Sequence, residues 1–138
     1  GDAFMAAPIL LVVACALIDP DGRVLLAQRA PGKSMGGLWE FPGGKVDSGE
    51  TPEESLIREL REELGIAAKE ACLAPLTFAS HAYPDFHLLM PLYICRRWDG
   101  TPQALEHSAL KWVRPRDMSQ YSMPPADLPL IPMLRDLL

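Results

Sequence analysis

One segment constrains the fold more than any other: Thr51-Pro52-Glu53-Glu54 opens a helix and Gly65 closes it. Thr51 suits the N-cap, Pro52 the first helical position, and Glu54 completes a T-x-x-E capping box. Gly65 suits the left-handed position just past a helix end. Between them Leu56, Ile57, Leu60 and Leu64 make one apolar stripe. The spacing predicts a helix over Pro52 to Leu64, and its stripe must be covered by other elements.

The flanking sequence supplies strands. Ile9 to Ile18 is rich in Val, Ile and Leu with no 3.6-residue period, which predicts a central strand buried on both faces. Asp19-Pro20-Asp21-Gly22 is a turn, and Val24 to Arg29 is expected to form a hairpin with the first strand. A loop with Pro31, Gly32, Gly36 and Gly37 leads to a short strand, Leu38 to Phe41. Pro42 ends that strand, and Gly43-Gly44 reads as a turn running into the helix. Further strands are expected over Leu73 to His81, Phe86 to Trp98 and Ala109 to Val113. A short helical piece follows over Pro115 to Gln120, and a last helix over Leu128 to Leu138. Strands interspersed with helices predict an α/β or α+β sandwich. No linker or repeat divides the 138 residues, so residues 1–138 read as a single domain.

Composition narrows the function classes. Net charge is −5 and no Lys/Arg-rich block occurs, which argues against a grip on a nucleic-acid polymer. Ala6 to Ile18 lacks the basic flank of a signal peptide and falls short of the about 20 apolar residues that span a bilayer. No membrane partner is expected. Cys15, Cys72 and Cys95 form no C-x-x-C pair and read as reduced thiols, which favours the cytoplasm.

The helix is crowded with acids. With Leu56 at zero and about 100° per residue, the apolar stripe covers roughly 0 to 100°. Glu62, Glu59 and Glu63 then fall at about 240, 300 and 340°, while Arg61 and Arg58 fall at about 140 and 200°. Two readings follow. A solvated face would hold Arg58 with Glu62 and with Glu54, each pair contributing about 0.3–0.5 kcal/mol. A metal site would explain three like charges at the edge of the buried stripe, because such charges raise one another's pKa unless a cation compensates. All-oxygen donors suit Mg²⁺ or Mn²⁺. The glycines at 43 and 44 permit close backbone approach, and their carbonyls could complete a metal shell.

Gly44, five residues, Glu50, seven residues, then Arg58-Glu59-Leu60-Arg61-Glu62-Glu63-Leu64-Gly65-Ile66 resembles the Nudix box at every defined position. Leu38 to Lys45 resembles the segment leading into the box of MutT-type pyrophosphohydrolases. The stretches Glu106 to Leu110 and Pro125 to Leu130 are similar to the tail of the branch that holds MutT and CTP pyrophosphohydrolases. The resemblance implies the Nudix fold, a mixed sheet between helices, and Mg²⁺-dependent hydrolysis of a nucleoside diphosphate linked to another group. It implies metal ligation by Glu59, Glu62, Glu63, Glu106 and the Gly43 carbonyl. Arg58 would orient these acids, and Glu50 would assist through the loop. Substrate contacts are implied for Arg29, Glu40, Phe41, Gly44, Lys45, Phe86 and Asp127. Five of these residues also have a plainer role: Glu106 as an exposed loop acid, Arg29 as a solvated arginine, Phe41 and Phe86 as core aromatics, Asp127 as a cap of the last helix.

The expected reaction is attack of water on the β-phosphorus of a nucleoside triphosphate, with Glu59 the first choice of general base and Glu106 the second. The alternatives are hydrolysis of a nucleotide sugar, dinucleoside polyphosphate or ADP-ribose, or a non-catalytic nucleotide-binding module. Asp127 stands where MutT itself has an amide and resembles the CTP pyrophosphohydrolase branch, so the resemblance does not imply strict selectivity for 8-oxo-dGTP. The acid could accept from an amino group on cytosine or from guanine N–H groups. The expected partner is a small nucleotide, and the protein a monomer or homodimer.

Overall fold

The two faces of β1 (Ile9–Leu17) serve two different layers of the protein. The structure, a computed structural model, describes residues 7–138; residues 1–6 of the expected domain lie outside it. Successive strand side chains point to opposite faces. Val13, Cys15 and Leu17 pack with Leu56, Leu60 and Leu64 of α1 (Pro52–Leu64). Ala14 and Ala16 pack with Leu130 and Leu134 of α2 (Leu130–Leu137). β2 (Val24–Gln28) divides in the same way, with Leu25 in the α1 layer and Val24 and Leu26 in the α2 layer. Each fully buried Leu contributes about 1.5–3 kcal/mol, so these contacts outweigh any single cap.

The expected sandwich is built from two sheets. β3 is Trp39–Glu40, β4 Gly43–Lys45, β5 Leu73–Ala82, β6 His87–Cys95 and β7 Ala109–Val113. One sheet runs β4-β1-β6-β5 and the other β3-β2-β7. β1 lies parallel to β6, with Ile9 opposite His87 and Leu17 opposite Cys95, and antiparallel to β4. The first sheet is therefore mixed. A 3-10 helix over Pro115–Gln120 leads towards α2.

α1 spans the expected residues. The N–H of Glu54 donates to Thr51 Oγ1 at 3.1 Å, and the N–H of Thr51 to Glu54 Oε1 at 3.0 Å. Gly65 has φ 70° and caps the end through its N–H on the Arg61 carbonyl.

Three expectations are corrected. β1 and β2 do not form a hairpin; after the Asp19–Gly22 turn a single bridge, Ile18 to Val24, joins them. Both edges of β1 are taken by β4 and β6, so β2 enters the other sheet. Gly43-Gly44 is not a turn but part of β4, paired with β1. The last helix begins at Leu130 rather than Leu128, with Pro129 as its N-cap.

Candidate active site

The glycines of β4 let this edge strand lie close against both β1 and the acidic helix. A Cβ on Gly43 would run into the carbonyl oxygen of Val13. A Cβ on Gly44 would stand 2.5 Å from Glu59 Oε2. Ser55, fully buried, ties helix to strand by donating its hydroxyl to the Lys45 carbonyl at 3.1 Å. The N–H of Gly43 donates to Glu63 Oε2 at 3.0 Å.

Arg58 organises the exposed side of this cluster. Its Nε and Nη2 grip Glu50 at 2.8 and 3.0 Å. Its Nη1 donates to Glu59 at 2.7 Å and to Glu62 at 3.2 Å. Asp47 adds a further ion pair at 3.2 Å. The alternative pairing with Glu54 does not form, since Glu54 is engaged in the capping box. These charge-assisted bonds hold the Glu50 carboxyl below its usual range.

The inner side carries uncompensated acid. Glu63 is only 6% exposed, and burial, then the charge of Glu59, pushes its pKa up to about 9; the Gly43 N–H pulls the other way, and Glu40 and Glu106 push up further. Burial also raises Glu59, against the pull of Arg58. Among the described residues no three His, Cys, Asp or Glu side chains already converge as a metal-binding group. Glu59 and Glu62 turn to Arg58, and Glu63 turns to Gly43. The donor chemistry nonetheless fits a hard divalent cation: every donor is oxygen, and a cation would offset the charge that burial makes unfavourable.

The chain returns to this cluster from several elements. The loop carrying Glu106 is tied to the end of α1 by Leu105 N–H on the Glu63 carbonyl at 3.1 Å and Gln103 N–H on the Leu64 carbonyl at 3.0 Å. Pairing of β3 with β2 sets Glu40 opposite Ala27, near Arg29 at the end of β2. Arg29 Nη1 donates to both oxygens of Glu40, at 3.1 and 3.2 Å, and its Nε to the Ser34 carbonyl at 2.7 Å. His107 Nε2 meets Glu40 Oε2 at 2.9 Å.

Two adjoining cavities result. One of about 100 Å³ is lined by Arg29, Lys33, Glu40, Glu63, Glu106 and His107. The other, about 220 Å³, shares Arg29, Glu40 and Glu63 and adds Phe41, Gly43, Gly44, Lys45, Met90 and Asp127. A larger depression of about 410 Å³, lined by Arg114, Arg116 and Arg135 among others, contains none of these residues.

Asp127 is 5% exposed and accepts the Phe41 N–H at 3.4 Å. Burial, then the charge of Glu40, raises its pKa to about 7. The helix-cap role for Asp127 is not observed: its backbone carbonyl, not its carboxylate, accepts from Leu130, and no side chain caps α2. Phe41 is 4% exposed and belongs to the core while lining the cavity. Phe86 does not line either cavity; it rides on the β5–β6 turn and stacks on Tyr83 at 5.0 Å.

A family model of the NUDIX domain matches residues 13–133. The chain belongs to the NUDIX domain family. It is 41% identical over 132 residues to the CTP pyrophosphohydrolase of Escherichia coli (strain K12), covering 88% of this chain and 89% of that one. It is 32% identical over 119 residues to the 8-oxo-dGTP diphosphatase of the same strain, covering 86% and 91%. The solution structure of the E. coli ORF135 protein superposes with a TM-score of 0.83 at 37% identity, covering 95% of this chain and 91% of that one. The expected family and the Nudix fold hold.

In this Nudix cleft, Lys33, Met90 and His107 are lining residues that sequence reading did not single out. His107 directly follows Glu106, but a histidine in a polar loop gives no sign of burial. Its side chain is 6% exposed and meets Glu40, 67 positions away in sequence. No local signal marks Lys33 or Met90.

Proposed function

We propose that this Nudix protein is a divalent-metal-dependent nucleoside triphosphate pyrophosphohydrolase that releases a nucleoside monophosphate and pyrophosphate. The observation that carries the reading is the shared lining of the two cavities. Arg29, Glu40 and Glu63 belong to both, so the inner edge of the acid cluster, at Glu63, opens into a chamber with Phe41, Met90 and the buried acid Asp127, while Glu59 and Glu62 line neither cavity. One end suits a charged phosphate chain and the other a base. Relatives named CTP pyrophosphohydrolase and 8-oxo-dGTP diphosphatase support the same substrate class.

Glu59, Glu62, Glu63 and Glu106, with the Gly43 carbonyl, would hold Mg²⁺, for which Mn²⁺ can substitute. When bound, the ion supplies charge neutralisation for the phosphate oxygens. Arg58 keeps Glu59 and Glu62 oriented, and Arg29 and Lys33 add positive charge for the phosphates. Water attacks the β-phosphorus in line; its proton passes to Glu59, and the bond from the β-phosphorus to the bridging oxygen breaks, leaving that oxygen on the α-phosphate. Phe41 and Met90 exclude water from the base. Asp127, ionised, accepts from an amino group on cytosine or from guanine N–H groups; protonated, it also donates.

The role fits cleansing of a nucleotide pool in the cytoplasm, with residues 1–138 acting as one unit. Among the described residues no helix is long and apolar enough to cross a membrane. Pyrophosphate release is to be measured with Mg²⁺ for 8-oxo-dGTP, dGTP, dCTP, CTP and modified cytosine triphosphates, beside nucleotide sugars and ADP-ribose. Triphosphates should be cleaved with the higher kcat/KM. Preference for a sugar nucleotide, or no turnover at all, refutes the reading.

A further inference from the structure

We propose that His107 is a positioning residue that fixes the guanidinium of Arg29 through the carboxylate of Glu40. The inference rests on the reading of Arg29 as a phosphate contact. The three side chains come from separate stretches: the end of β2, strand β3 and the loop before β7. They form one line of contacts. His107 Nε2 meets Glu40 Oε2 at 2.9 Å, and both Glu40 oxygens accept Arg29 Nη1 at 3.1 and 3.2 Å. The Glu40 side chain is 18% exposed and that of His107 6%, so little water competes for these bonds.

Among the described residues the imidazole has one polar partner, Glu40. Its Nδ1 is buried and unpartnered among the described residues. That arrangement suits the tautomer with the proton on Nε2, donated to Glu40. An orphaned ring nitrogen is a cost that an aliphatic side chain in the same space would not carry. The contact with Glu40 is what an imidazole supplies there and leucine does not.

Arg29 shows why that contact matters. Its Nε is committed to the Ser34 carbonyl at 2.7 Å and its Nη1 to Glu40. Its Nη2 makes no hydrogen bond among the described residues, and Arg29 lines both cavities. The guanidinium is therefore held along one edge and open along the other, the arrangement in which a planar fork meets phosphate oxygens with little ordering left to do. Glu40 keeps it there only while Glu40 itself cannot swing. Arg29 contacts both of its oxygens from one nitrogen, which leaves the carboxylate free to pivot; His107 removes that freedom from the side.

The test uses His107→Leu, which removes the donor, and His107→Gln, whose Nε2 amide can reach Glu40 in place of the ring N–H. His107→Leu should raise KM for the best triphosphate roughly tenfold, with kcat within about twofold. His107→Gln should restore KM to within about twofold. In a Glu40→Met background His107→Leu should add less than about twofold, because the path is already cut. His107→Asn, too short to reach Glu40, should behave as Leu, and replaces it if the Leu protein does not fold.

A second readout needs no turnover. The Nε–H resonance of Arg29, assigned by its loss in Arg29→Lys, should move in the Leu protein and stay near its wild-type position in the Gln protein. If wild type cleaves no triphosphate, the hydrolase reading fails while the resonance still tests the positioning. An unmoved Arg29 resonance in the Leu and Asn proteins overturns the proposal, as do unchanged KM values or additive effects with Glu40→Met.

Discussion

Gly43 donates its N–H to Glu63 Oε2 across 3.0 Å, joining the strand that pairs with β1 to the most deeply buried acid of the helix. This one donor does not balance the surroundings. Burial and the charges of Glu59, Glu40 and Glu106 all oppose ionisation of Glu63. A native fold tolerates such a group when its charged form is needed for chemistry. Glu63 thus stores a cost that a bound cation would offset, and stability and activity should part company there.

Glu63→Gln tests that separation. The amide oxygen can still accept from Gly43, and no charge needs burying. Without divalent metal, the Gln protein should melt at or above the wild-type temperature at pH 8. Added Mg²⁺ should raise the wild-type Tm and leave the Gln protein nearly unmoved. Its kcat should fall roughly 10²-fold or more. Thermal melts with chelator or Mg²⁺, beside kcat, check both halves; a Gln protein that melts well below wild type in chelator contradicts the account.

Gly44→Ala perturbs the neighbouring acid by contact alone. The new methyl would stand 2.5 Å from Glu59 Oε2, the far end of a flexible side chain, so Glu59 should yield rather than the strand. Displacement of a catalytic group by about 1 Å can cost roughly 10²-fold in rate. The expected result is a Tm within a few degrees of wild type and kcat lowered on that scale, as for Glu59→Gln. Wild-type kcat in both proteins would remove Glu59 from the mechanism.

Thr51→Ala should do the reverse. It breaks the capping box, whose loss costs about 1 kcal/mol, or roughly 3–4 °C in Tm for a chain of this length. Glu50 and Arg58 keep their bonds to each other, so kcat should not change. A fall in kcat with no change in Tm would mean that the cap acts on the acids rather than on the helix.

These three sites also show which features local sequence encodes. α1 was legible to the residue because Thr51, Pro52, Glu54 and Gly65 are signals read within one or two turns. The acids shared an arc for the same reason, since helical spacing alone sets it. Strand pairing is different: β1 lies against β6, more than seventy positions on, and no local pattern distinguishes that from pairing with β2. The turn at Asp19–Gly22 is real, but it hands the chain from one sheet to the other. Gly43 and Gly44 carried the same ambiguity, because a glycine that makes a turn and one that admits a neighbouring backbone look alike in sequence. His107 and the burial of Asp127 depend on Glu40 and Phe41, which only tertiary structure brings near them.

Asp127→Asn is the sharpest test of the base end. In the folded protein Asp127 has a pKa of about 7, raised by burial and then by Glu40, against an ordinary 3.8. Between these values the folded chain holds a proton that the unfolded chain has released, so this group's contribution is fully present below the lower value and is lost as pH rises through about 7. Asn does not titrate and can still accept the Phe41 N–H. The Tm difference, Asn minus wild type, should therefore grow from pH 5 to pH 8, with the other acids cancelling because both proteins carry them. Parallel Tm curves would mean that Asp127 does not hold its proton. On the proposed reading of Asp127 as a base contact, the same proton would decide recognition: a neutral carboxyl donates and accepts, whereas a carboxylate only accepts. For wild type, the ratio of kcat/KM for cytosine to guanine triphosphates should change across pH 6 to 8. In Asp127→Asn, which presents a donor and an acceptor at every pH, that ratio should be flat. An equal pH dependence in the two proteins would take Asp127 out of base recognition.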